Sequence, residues 1–219
     1  MRKIEAFIFD LDGTLMDSEV LYVEATKEAL KNRGVLISHQ ESVELVYGRG
    51  WSVIWADVCE RFPGVYAESE EMEEVIRSLF LRLRSRLDIK IEGSVDLLKR
   101  LSEQFPVAIV SGSPRVDVAE GIELLQIASH IDFYMGSEDY YSGKPDPTCF
   151  LEASKRFQVQ PSQCLVFEDS FAGVCAAKSA GMHCVALQRD NAPPQDLSGA
   201  DEILGDLSDF DLERLLSIQ

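Results

Sequence analysis

The sequence predicts an α/β protein: a parallel, doubly wound sheet with helices on both faces, interrupted by an inserted all-helical segment. Three observations carry that expectation. Short apolar runs rich in β-formers recur at Ile4 to Phe9, Val107 to Val110, Cys164 to Phe167 and Cys184 to Leu187, each flanked by helical sequence. The first three break off at polar groups: Asp10 and Asp12, Ser111-Gly112, and Glu168-Asp169. Between Met16 and about Ile91 strand signals vanish and helical periodicity takes over. In sheets of this kind the site lies at the carboxyl ends of the strands.

Taken in order, the first run reads as a buried strand that leaves through a Gly-Thr turn. The inserted segment is expected over residues 16–91, which assigns residues 1–15 and 92–219 to the sheet domain. Its first helix begins near Asp17-Ser18, carries Leu21, Ala25 and Ala29 on one stripe, and stops at Gly34. Its last runs from Glu68 to Leu87, with glutamates early and Arg82, Arg84 and Arg86 late, an order that suits the helix dipole. The arginines read as a solvated helix face rather than an anion patch. After the third strand, Ser170 is an N-cap and Gly181 a C′ residue for a helix whose small residues pack closely on a sheet. A last strand at Glu202 to Leu204 and a helix from Ser208 to Leu216 complete the chain.

Composition narrows the function. With 219 residues, 46% hydrophobic and 27% charged, the chain reads as an ordinary globular protein large enough for a substantial core. Thirty-eight acidic against 21 basic residues give a formal charge of −17, which repels nucleic acid and anionic membranes, so neither is an expected partner. An anionic substrate then requires cations placed locally. The five cysteines are scattered without a C-x-x-C pair and read as reduced packing residues. The first apolar stretch is too short and too charged for a signal peptide or membrane span, so a cytoplasmic protein is expected. A monomer is the default. His39, His130 and His183 lack ligand spacing and read as surface or packing residues.

The chemistry is concentrated at the strand ends. Asp10 and Asp12 are two apart and point the same way on a regular strand, where they repel unless a cation or proton is shared; a hard ion such as Mg²⁺ fits. The bland alternative is that both satisfy turn amides. Glu168 and Asp169 can complete an oxygen-rich metal shell with Asp10, or merely cap the helix that follows. Ser111 and Gly112 offer a hydroxyl and bare amides to phosphoryl oxygens, although a plain strand-to-helix turn looks the same. Lys144, in S-G-K-P-D-P, is held by a restricted loop; its ammonium near Asp10 would neutralise phosphate charge. In the helical segment Arg49 stands between Gly48 and Gly50, a clamp for a carboxylate or second phosphate or else a surface turn, while Trp51 and Trp55 read as packing aromatics.

Residues 7–15, 107–113, 143–147 and 166–170 together resemble, in the right order, the four motifs of the haloacid dehalogenase superfamily. The resemblance implies a Rossmann-like core with a helical cap inserted after the first motif, as in the β-phosphoglucomutase and phosphoglycolate-phosphatase branch. It implies that Asp10 is the nucleophile, and that Asp12 protonates the leaving oxygen and then activates water. Ser111, Gly112 and Lys144 would bind the phosphoryl group. Asp10, the main-chain carbonyl of Asp12, and Asp169 would hold Mg²⁺, with Glu168 contributing directly or through water and Thr14 supporting the site from behind.

The expected activity is therefore hydrolysis of a small phosphate ester, with the cap closing over the substrate. A dehalogenase needs no second Asp, whereas Asp12 is present. A phosphosugar mutase shares the core, but members of that group carry a His shortly after the first motif, where this chain has D-S-E-V-L-Y at 17–22. A catalytically silent binding module is the remaining alternative, set against a complete set of motif residues.

Overall fold

The structure is a computed structural model and describes residues 4–47, 49, 51–84, 89–190, 192 and 194–217. Two compact units divide the chain: one of Met1–Met16 with Lys90–Gln219, the other of Asp17–Ile89. Those limits fall one residue later and two residues earlier than the sequence expectation. The reason is local. Met16 bridges to Asp12 and to Lys90, and the Ile91 N–H donates to the Leu15 carbonyl, so these residues stay with the sheet.

In the first unit, β1 (Ala6–Phe9), β2 (Val107–Val110), β3 (Phe133–Met135), β4 (Cys164–Glu168), β5 (His183–Leu187) and β6 (Glu202–Leu204) form one parallel sheet in the order β3-β2-β1-β4-β5-β6. Winding reverses at β1, the arrangement that opens a crevice at the strands' carboxyl ends. Strands β1, β2 and β4 are buried along their whole length, which is why they read as continuous apolar runs without alternation. Phe9 stacks on Phe167 at 4.5 Å, and Phe210 closes on Phe167 edge-on at 5.0 Å. Each such buried ring contributes roughly 1.5–3 kcal/mol.

Edge strand β3 was not legible. It has only three residues, and Phe133 and Tyr134 are half-buried, so neither length nor periodicity marks them. Helices α5 (Glu92–Ser102), α6 (Arg115–Leu125), α7 (Thr148–Phe157), α8 (Phe171–Ser179) and α9 (Leu212–Ser217) connect or follow the strands. Ser170 caps α8 by accepting from the Gly173 N–H at 3.0 Å, and Gly181 takes positive φ just beyond it. The tail helix starts later than expected, because Leu207–Asp209 form a 3₁₀ turn.

The second unit packs α1 (Ser18–Asn32), α2 (His39–Val46), α3 (Trp51–Arg61) and α4 (Ser69–Arg84) around Leu30, Leu45, Ile54, Val58, Met72 and Ile76. Gly34, at positive φ, ends α1 as its position predicts. Trp51 and Trp55 pack on this core, and the Trp51 indole N–H donates to Ser69. The arginine run is solvated at Arg82, which is exposed and pairs with Glu28, but, against the expectation of a solvated face, Arg84 is buried. Its long apolar stem lets it end the buried stripe of α4. Arg86 and Leu87 lie outside the described residues. All five cysteines are free, and no described helix is long and apolar enough to cross a membrane.

Candidate active site

Strand register builds the site. Phe9 lies opposite Ile109 on one side and Phe167 on the other, so Asp10, Val110-Ser111 and Glu168 leave the sheet level with one another. Segments more than a hundred residues apart thus deliver their polar ends to one place. Asp10 is buried, and its own N–H donates to the Phe167 carbonyl at 3.0 Å.

Lys144 is the cation that composition demanded. Its Nζ lies 2.5 Å from Asp10 Oδ1, 2.6 Å from Glu168 Oε1 and 3.2 Å from the Val110 carbonyl. Burial works to discharge this ammonium, but Asp10 and Glu168 outweigh it and hold its pKa well above the usual lysine value. The loop that carries it is fixed downstream: Asp146 accepts from the Thr148 N–H at 2.9 Å at the start of α7.

Glu168 is more constrained than its sequence position suggests. Its Oε2 accepts from the Asp169 N–H at 2.8 Å, the Ser170 N–H at 2.8 Å and the Ser170 hydroxyl at 2.9 Å, while Oε1 faces Lys144. Gly173 is the residue that makes room for it: a Cβ there would lie 1.7 Å from Glu168 Oε1. Gly173→Ala should therefore destabilise the protein by about 2–3 kcal/mol, although alanine is the better helix former. Thermal unfolding checks this, and an unchanged or raised Tm contradicts it. Gly13, at φ +89°, serves Asp169 in the same way, since its Cβ would lie 2.1 Å from Asp169 Oδ2. Thr14, fully buried, donates to Asp169 Oδ1 at 3.1 Å.

Asp10, Glu168 and Asp169 each present one carboxylate oxygen, all within 4.8 Å of one another. Fully ionised, three carboxylates beside the ammonium of Lys144 would carry a net of two negative charges. Burial, partly opposed by Lys144, pushes the Asp10 carboxyl well above its ordinary value, with Glu168, Asp169 and Asp12 adding to the rise. Burial, then Glu168, push Asp169 up to about 7. An oxygen-only, over-negative cluster that clings to protons is what a hard divalent cation stabilises, so the donor set fits Mg²⁺.

That shift has a pH signature. The folded Asp169 carboxyl holds its proton more tightly than the unfolded one, so its ionisation costs no stability below pH about 4 and its full cost above about 7. In metal-free protein, Asp169→Asn should leave Tm nearly unchanged at pH 4 and raise it by several degrees at pH 8. The reverse ordering contradicts the assignment.

The Asp12 carboxylate stands apart from the cluster. Its Oδ2 accepts from the Ser113 hydroxyl at 2.7 Å and the Ser111 hydroxyl at 3.2 Å. Ser113 was not among the expected site residues, because a serine after Ser-Gly carries no spacing signal of its own. Arg49 belongs to the helical unit. Its Nη1 donates to Asp57 Oδ2 at 2.7 Å and to the Glu44 carbonyl at 3.1 Å, closing the end of α2. A substrate anion would have to replace Asp57 as its partner. Gly48 and Gly50, the other half of that motif, lie outside the described residues.

Known proteins resemble this chain in sequence and fold. The chain is 32% identical to validoxylamine A 7'-phosphate phosphatase of Streptomyces hygroscopicus subsp. limoneus, over 92% of this chain and 93% of that one. It is 30% identical to fructose-1-phosphate phosphatase YqaB of Escherichia coli K12, over 85% and 98%. Among solved structures, a Thermotoga maritima protein assigned as a β-phosphoglucomutase superposes with a TM-score of 0.79 at 25% identity, covering 98% of this chain and 97% of that one. The haloacid dehalogenase-like hydrolase family matches residues 7–187, which contain every strand-end segment described above except β6. With a family match over most of its length and a 32% identical relative covered nearly end to end, the chain belongs to the haloacid dehalogenase-like hydrolases and is an enzyme of that class.

Proposed function

We propose that the protein is a Mg²⁺-dependent phosphatase that hydrolyses a small phosphorylated metabolite of the sugar-phosphate kind through a phosphoaspartyl intermediate on Asp10. The observation that carries this reading is Asp10 itself: one carboxylate, level with the two neighbouring strand ends, against an ammonium at 2.5 Å. Support for the substrate class comes from the validoxylamine and fructose phosphatases, whose names specify phosphorylated carbohydrate-like substrates.

In this proposal Asp10 attacks phosphorus, the bond from phosphorus to the leaving oxygen breaks, and Asp12 donates its proton to that oxygen. Water then attacks the phosphoryl-aspartate, Asp12 takes a proton from it, and phosphate leaves Asp10 free. Lys144, the Ser111 hydroxyl and the Gly112 amide hold the phosphoryl oxygens, which keeps the migrating charge compensated. Asp10, the main-chain carbonyl of Asp12 and Asp169 would hold Mg²⁺, which supplies charge neutralisation to the phosphoryl oxygens. Glu168 acts chiefly by orienting Lys144, since Oε2 is committed to three protein donors. The reaction is proposed for a cytoplasmic monomer.

Phosphate release from p-nitrophenyl phosphate, then from phosphosugars, phosphoglycolate and 6-phosphogluconate, tests the proposal. Turnover should require Mg²⁺ and vanish with EDTA. A folded, Mg²⁺-loaded protein inactive across that panel would refute it. The likeness to a β-phosphoglucomutase supports a second reading, a phosphosugar mutase, and formation of an isomeric sugar phosphate in place of free phosphate would select it.

A further inference from the structure

Tyr140 lies outside the four motifs, four residues before Lys144, yet its hydroxyl donates to the Ser111 carbonyl at 2.8 Å. The next carbonyl back, that of Val110, accepts from Lys144 Nζ at 3.2 Å. Consecutive carbonyls at the end of β2 are thus taken by two side chains of one loop. The half-buried Tyr140 ring packs on the sheet core, so the hydroxyl is delivered by an anchored group.

The Ser111–Gly112 peptide is trans, the cis bond among the described residues being Lys144-Pro145. In a planar trans peptide the C=O and the following N–H point in opposite directions. Holding the Ser111 carbonyl against Tyr140 therefore fixes where the Gly112 N–H points, away from the tyrosine. Gly112 has no Cβ to restrain this plane by packing; one built there meets no atom within 4 Å. The Ser113 N–H donates to Ser111 Oγ at 3.0 Å across the same turn, and the hydrogen bond from Tyr140 is the restraint that acts on the Ser111 carbonyl itself.

We propose that Tyr140 is a positioning residue that aims the Gly112 amide at the phosphoryl group. This rests on the reading that Ser111 and Gly112 form the phosphate site. Burial raises the Tyr140 phenol to about 12, so it remains a donor throughout the range in which a phosphatase is assayed. A phenylalanine at this position would keep the ring and supply no such restraint.

Tyr140→Phe keeps the ring and removes the donor, and should fold with a Tm close to that of the parent. With p-nitrophenyl phosphate and Mg²⁺, KM and the Ki for inorganic phosphate should both rise about fivefold, the worth of one hydrogen bond, while kcat stays within about twofold. In ¹⁵N spectra, the Gly112 amide of the parent should shift on adding inorganic phosphate, and that response should shrink in Tyr140→Phe. A phosphate Ki within twofold of the parent, or a fall in kcat with Ki unchanged, overturns the proposal, and so does a weakened Ki with an undiminished Gly112 amide response, which would point to a loosened Lys144 loop. Ser111→Ala run in parallel separates the two readings. If it leaves the phosphate Ki unchanged, the phosphate site itself is misassigned and the role of Tyr140 falls with it. If Ser111→Ala weakens phosphate and Tyr140→Phe does not, only the tyrosine proposal fails.

Discussion

Asp10→Asn is expected to lower kcat by about 10⁴-fold or more while the protein remains folded, because the substitution removes the attacking oxygen and leaves everything around it in place. The amide is nearly isosteric, and Lys144 keeps Glu168 at 2.6 Å as its partner. Stability should therefore not fall, and at neutral pH it should rise, because burial and neighbouring carboxylates already disfavour the Asp10 charge. Binding of phosphate should persist, since its ligands are elsewhere. Steady-state kinetics with thermal unfolding distinguish these effects. An Asp10→Asn protein that retains more than about 1% of parental kcat would remove the covalent mechanism.

Lys144→Ala carries the second large effect, and it divides between activity and folding. Removal of the ammonium leaves Asp10 and Glu168 buried against each other without compensation, an arrangement that costs roughly 3–5 kcal/mol. It also removes one of the donors that meet the developing phosphoryl charge, worth about 10²–10³ in kcat. The two contributions respond differently to Mg²⁺. Saturating cation supplies positive charge to the same carboxylates and should restore most of the lost Tm, whereas it does not replace the donor, so kcat stays low. Lys144→Arg should rescue poorly, because a planar fork cannot occupy the point between Asp10, Glu168 and the Val110 carbonyl that an ammonium fills. Full recovery of kcat by arginine or by Mg²⁺ would count against a direct role for Lys144 in transfer.

These expectations turn on residues of differing legibility. Asp10, Asp12, Ser111, Lys144 and Asp169 could be found because each interrupts an apolar run or sits in a Gly/Pro-restricted loop, where a polar residue has no packing reason to be. Ser113, Gly13, Gly173 and Tyr140 could not. Their importance lies in what they face across the fold, namely Asp12, Asp169, Glu168 and the Ser111 carbonyl, and no sequence spacing encodes that. Arg49 shows the converse: a conspicuous local pattern whose guanidinium is engaged by Asp57 within the helical unit.

The amino-acid sequence by itself determined the parallel sheet, the helical insertion and the polar segments at the strand ends, because periodicity and the abrupt ends of apolar runs are local properties of the chain. Only the tertiary structure decided the three-residue edge strand, the burial of Arg84, and the different partners of the carboxylates. Register places Glu168 beside Lys144 with its other oxygen committed to backbone and serine donors, while Asp169 turns toward Asp10. Two adjacent acids therefore acquire different partners within the same dipeptide. The difference arises from which donors the strand end and the start of α8 present to each, and such donors come from residues remote in sequence that meet only once the sheet has formed.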